Sequence, residues 1–260
     1  MAKTILITGA TDGIGLLTAK KLATAGHEVL IHGRSAEKLA VAANAIGPGT
    51  TTYSADLSDL AAVAALAEAV KAKHPRLDVV INNAGVLKTP KTEVGGYDIR
   101  FVVNTFAPYL LTRMLLPIMP KEGRVVNLSS AAQAPIDLAA MAGGVRMADM
   151  AAYAQSKLAI TIWTREIART LPDGPIVVAV NPGSLLASKM VKEGFGVAGK
   201  DLGIGAEILI DAALGARFAD ASGAYFDNDS GRFADPHPAA LDPAHSAAVM
   251  EAVERFSVGS

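Results

Sequence analysis

Residues 4–15 read TILITGATDGIG, a short apolar and β-branched run that leads directly into three glycines. Gly9, Gly13 and Gly15 stand where a strand is expected to become a helix. In such a turn the first glycine allows a sharp bend, the second lets the backbone approach a pyrophosphate, and the third permits close packing of helix on strand. Free N–H groups and the helix dipole then favour a bound phosphate. The stretch predicts the opening βα unit of a dinucleotide-binding fold.

Outward from this stretch, strand-like and helix-like segments alternate. The predicted strands are Thr4–Thr8, Glu28–His32, Thr51–Ala55, Leu77–Asn82, Gly123–Leu128, Ile176–Val180 and a short Ser222–Asp227. The predicted helices are Gly13–Ala25, Glu37–Ala45, Leu60–Lys73, Gly96–Met119, Ala151–Leu171 and Leu202–Leu214. Continuous apolar strands are typical of sheets buried on both faces. We therefore expect an α/β fold, with residues 1–260 forming a single-domain, doubly wound Rossmann fold around a mainly parallel six- to seven-stranded sheet.

Composition narrows the functional class. The 260 residues are 51 % hydrophobic and 19 % charged, with a formal net charge of −1, which suits a large core and argues against a nucleic-acid-binding protein. The absence of cysteine excludes disulfides, thiolate metal sites and a cysteine nucleophile. None of the histidines forms an i,i+4 pair, so no metal site is expected. No signal peptide or membrane span is expected either, and we expect a cytoplasmic protein.

The end of the second strand indicates the cofactor. Dehydrogenases that use NAD carry an acidic residue near this point, whereas an arginine accommodates the 2′-phosphate of NADP. Here the strand ends in His32, Gly33 and Arg34, with no Asp or Glu at its tip. Because a planar guanidinium suits a phosphate, Arg34 favours NADP(H) over NAD(H). His32 is expected to be an ordinary buried or surface histidine.

Tyr153 and Lys157 lie four residues apart on a predicted helix, which puts both side chains on one face. An unperturbed tyrosine has a pKa of about 10, and a nearby ammonium favours the phenolate and lowers that pKa. Tyr153 is then suited to give a proton to a carbonyl oxygen or to take one from an alcohol.

Seven motifs in a fixed order together resemble the short-chain dehydrogenase/reductase family over roughly residues 4–190. They are Thr8–Gly15, Asp56 with Leu57, Asn82–Gly85, Asn104, Val126–Ser130, Tyr153 with Lys157, and Asn181–Gly183. A looser similarity points to the retinol-dehydrogenase and protochlorophyllide-reductase-like branch. It is carried by residues 91–93, 95–100, 156–159, 164–166 and 223–226 and by the long interval between Ser130 and Tyr153. Three departures are notable. Asp12 stands where NADP-linked members often carry a cation, Ala187 replaces a common threonine, with Ser188 as the candidate substitute, and Ser130 lies 23 positions before Tyr153.

The resemblance implies a role for each matching residue. Tyr153 would be the acid/base, Lys157 would lower its pKa and bind the nicotinamide ribose, and Ser130 would hydrogen-bond the substrate oxygen. Asn104 would hold a water that links Lys157 to solvent. The implied cofactor-binding residues are Gly9, Thr11, Asp12, Gly13, Ile14, Gly15, Arg34, Asp56, Leu57, Asn83, Ala84, Gly85, Tyr153, Lys157, Pro182, Gly183 and Leu185.

Two irregular stretches, residues 131–150 and 184–203, are expected at the substrate mouth. Both are rich in apolar residues, the second also in glycines that permit closure over a ligand. They favour a bulky apolar ketone or aldehyde, reduced by hydride transfer from nicotinamide C4. Segment 231–242 is expected to pack loosely on the surface.

Several alternatives stay open. The chain is also compatible with an NAD-linked alcohol dehydrogenase, with a dinucleotide-sensing scaffold without activity, and with a nucleotide-sugar epimerase or dehydratase. The expected partner is a small carbonyl or alcohol substrate. A monomer is compatible with the sequence, as is a homo-oligomer formed through the helices at residues 96–119 and 151–171.

Overall fold

The computed structural model describes residues 1–187 and 199–258. The strands are β1 Thr4–Ile7, β2 Glu28–Gly33, β3 Thr51–Ser54, β4 Val79–Asn82, β5 Glu93–Val94, β6 Tyr97–Asp98, β7 Arg124–Leu128, β8 Ile176–Asn181, β9 Tyr225–Asp227 and β10 Arg232–Ala234. The longer helices are α1 Gly13–Thr24, α2 Ala36–Ile46, α3 Leu60–Lys73, α4 Ile99–Ile118, α5 Asp149–Thr170, α6 Leu202–Leu214 and α7 Pro243–Val258. A short helix, Leu138–Met141, lies within residues 131–150.

Eight strands form one sheet in the order β10-β9-β8-β7-β4-β1-β2-β3. All neighbours pair in parallel except β10, which is antiparallel to β9. The chain leaves β1 toward β2 and β3 and then crosses to β4 on the other side of β1, which makes a crevice at the carboxyl ends of these strands where ligands of such sheets bind. The prediction of a doubly wound, mainly parallel α/β fold is confirmed. The sheet has eight strands, whereas at most seven were expected.

Helices cover both faces of the sheet. Helices α1, α2 and α6 pack on one face, while α3, α4 and α5 pack on the other, with α7 against α4 and α5. Trp163 on α5 is fully buried, as expected of a core residue. Helix α4 contains one π-helical turn, Val102–Phe106. By length and composition, α4 is apolar enough to cross a membrane, and 67 % of its most apolar stretch is buried inside the fold.

The C-terminal part of the chain differs most from expectation. Segment 231–242 does not pack loosely, because β10 extends the sheet and Phe233 contacts the rings of Phe218 and Phe226. Helix α7 was not predicted, yet Val249 and Val253 on it are fully buried. The expected helix at Gly96 begins later, because Gly95 and Gly96 turn with φ of +57° and +88° between β5 and β6.

Candidate active site

The three glycines after β1 have distinct surroundings. A Cβ on Gly9 would lie 2.8 Å from the Cα of Ala84, and one on Gly15 would lie 2.6 Å from the carbonyl oxygen of Gly9. A Cβ on Gly13, which has φ +55°, would meet no atom within 4 Å. Asp12 is the N-cap of α1 but makes no side-chain hydrogen bond to the first turn. The outer glycines are therefore required by packing within the protein, and the middle one faces open space beside uncapped N–H groups, which fits a bound pyrophosphate.

Residues Thr8–Gly15 form the phosphate cradle, and the loop after β4 holds this segment in place. The Asn83 amide nitrogen donates to the carbonyl oxygens of Thr8 at 2.8 Å and Gly9 at 3.0 Å. The backbone N–H of Ala84 donates to the Thr8 hydroxyl at 3.1 Å. Both amide hydrogens of Asn83 are thus engaged within the protein, so its side chain shapes the cradle from behind.

His32 lies beneath the cradle and supports it. Its Nε2 is 3.0 Å from the carbonyl oxygen of Ala55, and its Nδ1 accepts from the backbone N–H of Gly9 at 3.4 Å. These partners require a proton on Nε2 and none on Nδ1, and burial lowers the pKa of His32 in keeping with a neutral ring. The expectation of an ordinary buried histidine is confirmed.

Arg34 stands at the tip of β2, where the adenosine end of a dinucleotide is expected. It is exposed, and within the described ranges it forms no ion pair. Asp56, after β3, lies near enough for the charges of Arg34 and Lys91 to act on it. Partial desolvation acts to raise the pKa of Asp56, but hydrogen bonds from Ser58 and these two cations lower it overall. The neighbouring Leu57 is buried.

Tyr153 and Lys157 lie one turn apart on α5, as predicted. The Lys157 Nζ donates to the carbonyl oxygen of Leu128 at 2.7 Å and lies 5.6 Å from the centre of the Tyr153 ring. Burial lowers the pKa of Lys157 to about 8. Burial also raises the pKa of Tyr153, while a hydrogen bond with Ser130 acts to lower it. The overall rise is opposite to the lowering expected from Lys157, because removing a phenolate from water is unfavourable.

Asn104 lies within the π-helical turn of α4 and faces the same cluster. Its amide pairs with both backbone groups of Val86, at 2.9 Å and 2.8 Å, and donates to the Ser156 hydroxyl at 3.0 Å. A Cβ on Gly85 would lie 3.3 Å from the Asn104 Oδ1 and 3.5 Å from the Lys157 Nζ. Gly85 therefore lets the chain pass over both residues. The water relay through Asn104 stays a prediction.

No role is predicted from the sequence for Arg100, which lies one turn before Asn104. Its side chain is 1 % exposed and binds Asp98 through Nε and Nη2, at 2.8 Å and 2.6 Å. Its Nη1 donates to Asp149, the first residue of α5, at 2.8 Å, and to the Leu87 carbonyl oxygen at 3.2 Å. Arg100 thus joins the loop after β4, the β5–β6 hairpin and the helix that carries Tyr153. The only sequence signal was a charged residue inside an apolar helix.

The loop after β8 is anchored from the turn between β9 and β10. The Asn181 amide nitrogen donates to Asp227 at 2.8 Å and to Asp229 at 2.9 Å, and Asp229 also accepts from the Ser184 N–H at 2.9 Å. Pro182, Gly183 and Leu185, implied to border the nicotinamide, follow at the carboxyl end of β8. Leu185 adopts φ +56°, a left-handed conformation. Ser188 and the apolar residues Met190, Phe195 and Val197 of the expected substrate loop lie outside the described residues.

The predicted residues form two adjoining groups at the carboxyl edge of the sheet. The cradle, Arg34 and Asp56 follow β1, β2 and β3, whereas Asn104, Ser130, Tyr153 and Lys157 gather beside β4 and β7. A phosphate cradle next to a Ser-Tyr-Lys cluster on a doubly wound sheet defines a class of nucleotide-dependent oxidoreductases. Residues 3–195 match the short chain dehydrogenase family, and the chain belongs to that family.

Curated relatives support the branch predicted from the sequence. The chain is 32 % identical to human retinol dehydrogenase 13 over 86 % of its own length and 76 % of that protein. It is 38 % identical to mouse retinol dehydrogenase 12 over 71 % of its length and 62 % of that protein, so it spans less than two thirds of this second relative.

Solved structures agree with the fold. A protein from Mycobacterium paratuberculosis superimposes with a TM-score of 0.81 at 28 % identity, over 98 % of this chain and 93 % of that one. A blue fluorescent protein from a metagenomic library, in complex with NADPH, has a TM-score of 0.70 at 26 % identity, over 88 % and 97 % of the two chains. A Brucella melitensis 3-ketoacyl-(acyl-carrier-protein) reductase complexed with NADH has a TM-score of 0.70 at 27 % identity, over 86 % and 96 %.

Proposed function

We propose that this short-chain dehydrogenase uses NADP(H) to reduce a bulky apolar ketone or aldehyde, and that Tyr153, Ser130, Lys157 and Asn104 carry the proton chemistry. The observation that carries the proposal is the cluster itself. The Lys157 Nζ lies 5.6 Å from the centre of the Tyr153 ring, and Ser130 is near enough to the Tyr153 phenol to act on its pKa.

The preference for NADP(H) rests on Arg34. Its guanidinium is exposed and without an ion pair in the described part of the chain, at the strand tip where NAD-linked enzymes place an acid. Similar proteins hold either cofactor, one with NADPH and one with NADH. Asp12 opposes the preference if it lies near the 2′-phosphate, which keeps an NAD-linked alcohol dehydrogenase as the second candidate.

The bound nicotinamide supplies the hydride. Tyr153 gives the proton to the carbonyl oxygen, and its raised pKa keeps the phenol protonated at neutral pH, which suits reduction. The Ser130 hydroxyl donates a hydrogen bond to the same oxygen and stabilises the charge that develops there. Lys157 binds the ribose hydroxyls and, with a pKa of about 8, can return a proton to Tyr153 near neutral pH. Asn104 connects this exchange to solvent through a water.

The proposed substrate class is supported by apolar residues on and next to the two segments expected at the substrate mouth. Leu138, Val145 and Met150 are exposed on segment 131–150, Leu185 is exposed on segment 184–203, and Ile204 is exposed directly after that segment. Exposed apolar side chains on the two segments expected at the substrate mouth suit a bulky apolar ligand. A cytoplasmic location belongs to the same proposal, since α4, the one candidate spanning helix among the described residues, is largely buried in the fold.

The test is a fluorescence titration with NADPH and with NADH, on wild type and on Arg34→Ala. We expect tight NADPH binding that weakens by about 10- to 100-fold in the variant, as for loss of a charge-assisted hydrogen bond, with little change for NADH. A panel of ketones and aldehydes is then screened for turnover by the change in nicotinamide absorbance. Equal or tighter NADH binding would reassign the protein as an NAD-linked dehydrogenase. Binding without turnover of any compound would favour a sensing scaffold.

A further inference from the structure

The backbone carbonyl of Ser130 is held from two directions. It accepts from the Gln133 Nε2 at 2.9 Å and from the Tyr225 hydroxyl at 3.1 Å. On the other side of the same residue, the Ser130 Oγ accepts from the Ala132 N–H at 3.1 Å, and it lies near enough to Tyr153 to act on the pKa of that phenol. Fixing a carbonyl fixes its peptide plane, and with it the direction in which the adjoining side chain leaves the backbone.

The donors to this carbonyl belong to a wider set of contacts with the C-terminal part of the chain. The Gln133 Oε1 accepts from the His237 N–H at 3.1 Å, and the His245 Nε2 accepts from the Ile136 N–H at 3.4 Å. Tyr225 lies on β9, in parallel register with Ala179 of β8, and is 6 % exposed. Its hydroxyl is therefore carried by the sheet, whereas Ser130 lies in a loop.

We infer that Tyr225 is a positioning residue, which holds the Ser130 loop so that the serine hydroxyl meets both Tyr153 and the substrate oxygen. This inference rests on the proposed function. A hydrogen-bond donor stabilises developing charge only when it is already aimed at the oxygen, and a small displacement of such a group lowers the rate without abolishing binding. Among the described residues the Tyr225 hydroxyl donates to the Ser130 carbonyl oxygen and forms no hydrogen bond with the Ser130 hydroxyl or with Tyr153, so it acts through the Ser130 backbone.

The test is Tyr225→Phe, which removes one hydroxyl and keeps the buried ring. Because Gln133 still donates to the same carbonyl, no buried acceptor is left unpaired and the variant is expected to fold. We expect kcat for carbonyl reduction to fall about three- to tenfold, the effect of one hydrogen bond, with unchanged NADPH affinity. The matched control is Tyr109→Phe, which removes another buried phenol whose hydroxyl donates to Glu254 at 3.2 Å, and which should leave kcat unchanged.

A double-mutant cycle shows whether Tyr225 acts through the serine. In a Ser130→Ala background, Tyr225→Phe should lower kcat no further, because the hydroxyl that it positions is already gone. An equal fall in both backgrounds, or a Tyr225→Phe variant as active as the control, would overturn the inference.

A second readout does not depend on turnover. Tyr225→Phe should speed amide hydrogen exchange in residues 129–136, and Tyr109→Phe should not. If wild type reduces no carbonyl compound, the proposed function fails, and with it the role of Tyr225 in reduction. Faster exchange would then show only that Tyr225 holds the loop, and unchanged exchange would overturn that as well.

Discussion

The two halves of the candidate site are built in different ways. The phosphate cradle depends on glycines and on the short loop that faces it, so that a single backbone contact, such as Gly9 against Ala84, sets its shape. The cluster around Tyr153 instead depends on side chains from distant parts of the chain, with Arg100 holding the start of α5 and Tyr225 holding Ser130. A backbone-built site leaves a compact sequence motif, whereas a site held by side-chain networks does not.

The side-chain-built half is most sensitive at Arg100. Replacing Arg100 with Met leaves the nearly buried Asp98 carboxylate without its partner, and removing one member of a buried ion pair costs about 3–5 kcal/mol. We expect the free energy of unfolding to fall by that amount in a urea titration. The exposed pair of Arg169 with Glu166 is the control, and Arg169→Met should change stability by less than about 1 kcal/mol. A similar small effect at Arg100 would contradict the role given to its network.

The backbone-built half is most sensitive at Gly15. A Cβ there would lie 2.6 Å from the Gly9 carbonyl oxygen and 2.5 Å from the Asn83 amide nitrogen, so Gly15→Ala must displace the cradle. Overpacking of this kind costs about 1–3 kcal/mol, and we expect lower stability together with weaker NADPH binding.

Gly13→Ala sharpens the comparison, because its new Cβ would meet only open space. Its cost to the free protein is the left-handed backbone alone, about 1–2 kcal/mol. NADPH binding should weaken more than stability does. The measurements are thermal unfolding and an NADPH titration on both variants. If Gly13→Ala lowers the free energy of binding and the free energy of unfolding by equal amounts, that result would count against a phosphate at this position.

The smallest expected effect is the pH dependence. Burial lowers the pKa of Lys157 to about 8, so its ammonium is present below that pH and is lost above it. We expect kcat/KM for reduction to be level below about pH 8 and to fall up to tenfold per unit above it. Between the folded and unfolded pKa values the unfolded chain binds more protons at this site, so this ionisation makes the fold more stable as pH rises. A profile that stays level to about pH 10 would contradict the role of Lys157.

The same contrast explains what could be predicted from the sequence. The glycines, Arg34 and the Tyr153–Lys157 pair could be recognised because the relevant atoms are close in sequence or follow a strand end. The supports from Arg100 and Tyr225 could not, because their partners Asp149 and Ser130 lie 49 and 95 positions away. Strand β10 was missed because three residues carry too short a pattern, and the packing of Phe233 on the rings of Phe218 and Phe226 depends on the folded sheet.

One half of the site is proposed to bind the dinucleotide and the other to carry the proton chemistry. The most direct test therefore measures cofactor binding and turnover on Tyr153→Phe. NADPH should bind within a few-fold of wild-type affinity, because the cradle, Arg34 and Lys157 are untouched and the variant removes only the Tyr153 hydroxyl from the implied cofactor contacts. Reduction of the best carbonyl substrate should fall by about 10²–10⁴-fold, the range for loss of a general acid. Turnover within a few-fold of wild type would contradict the central claim.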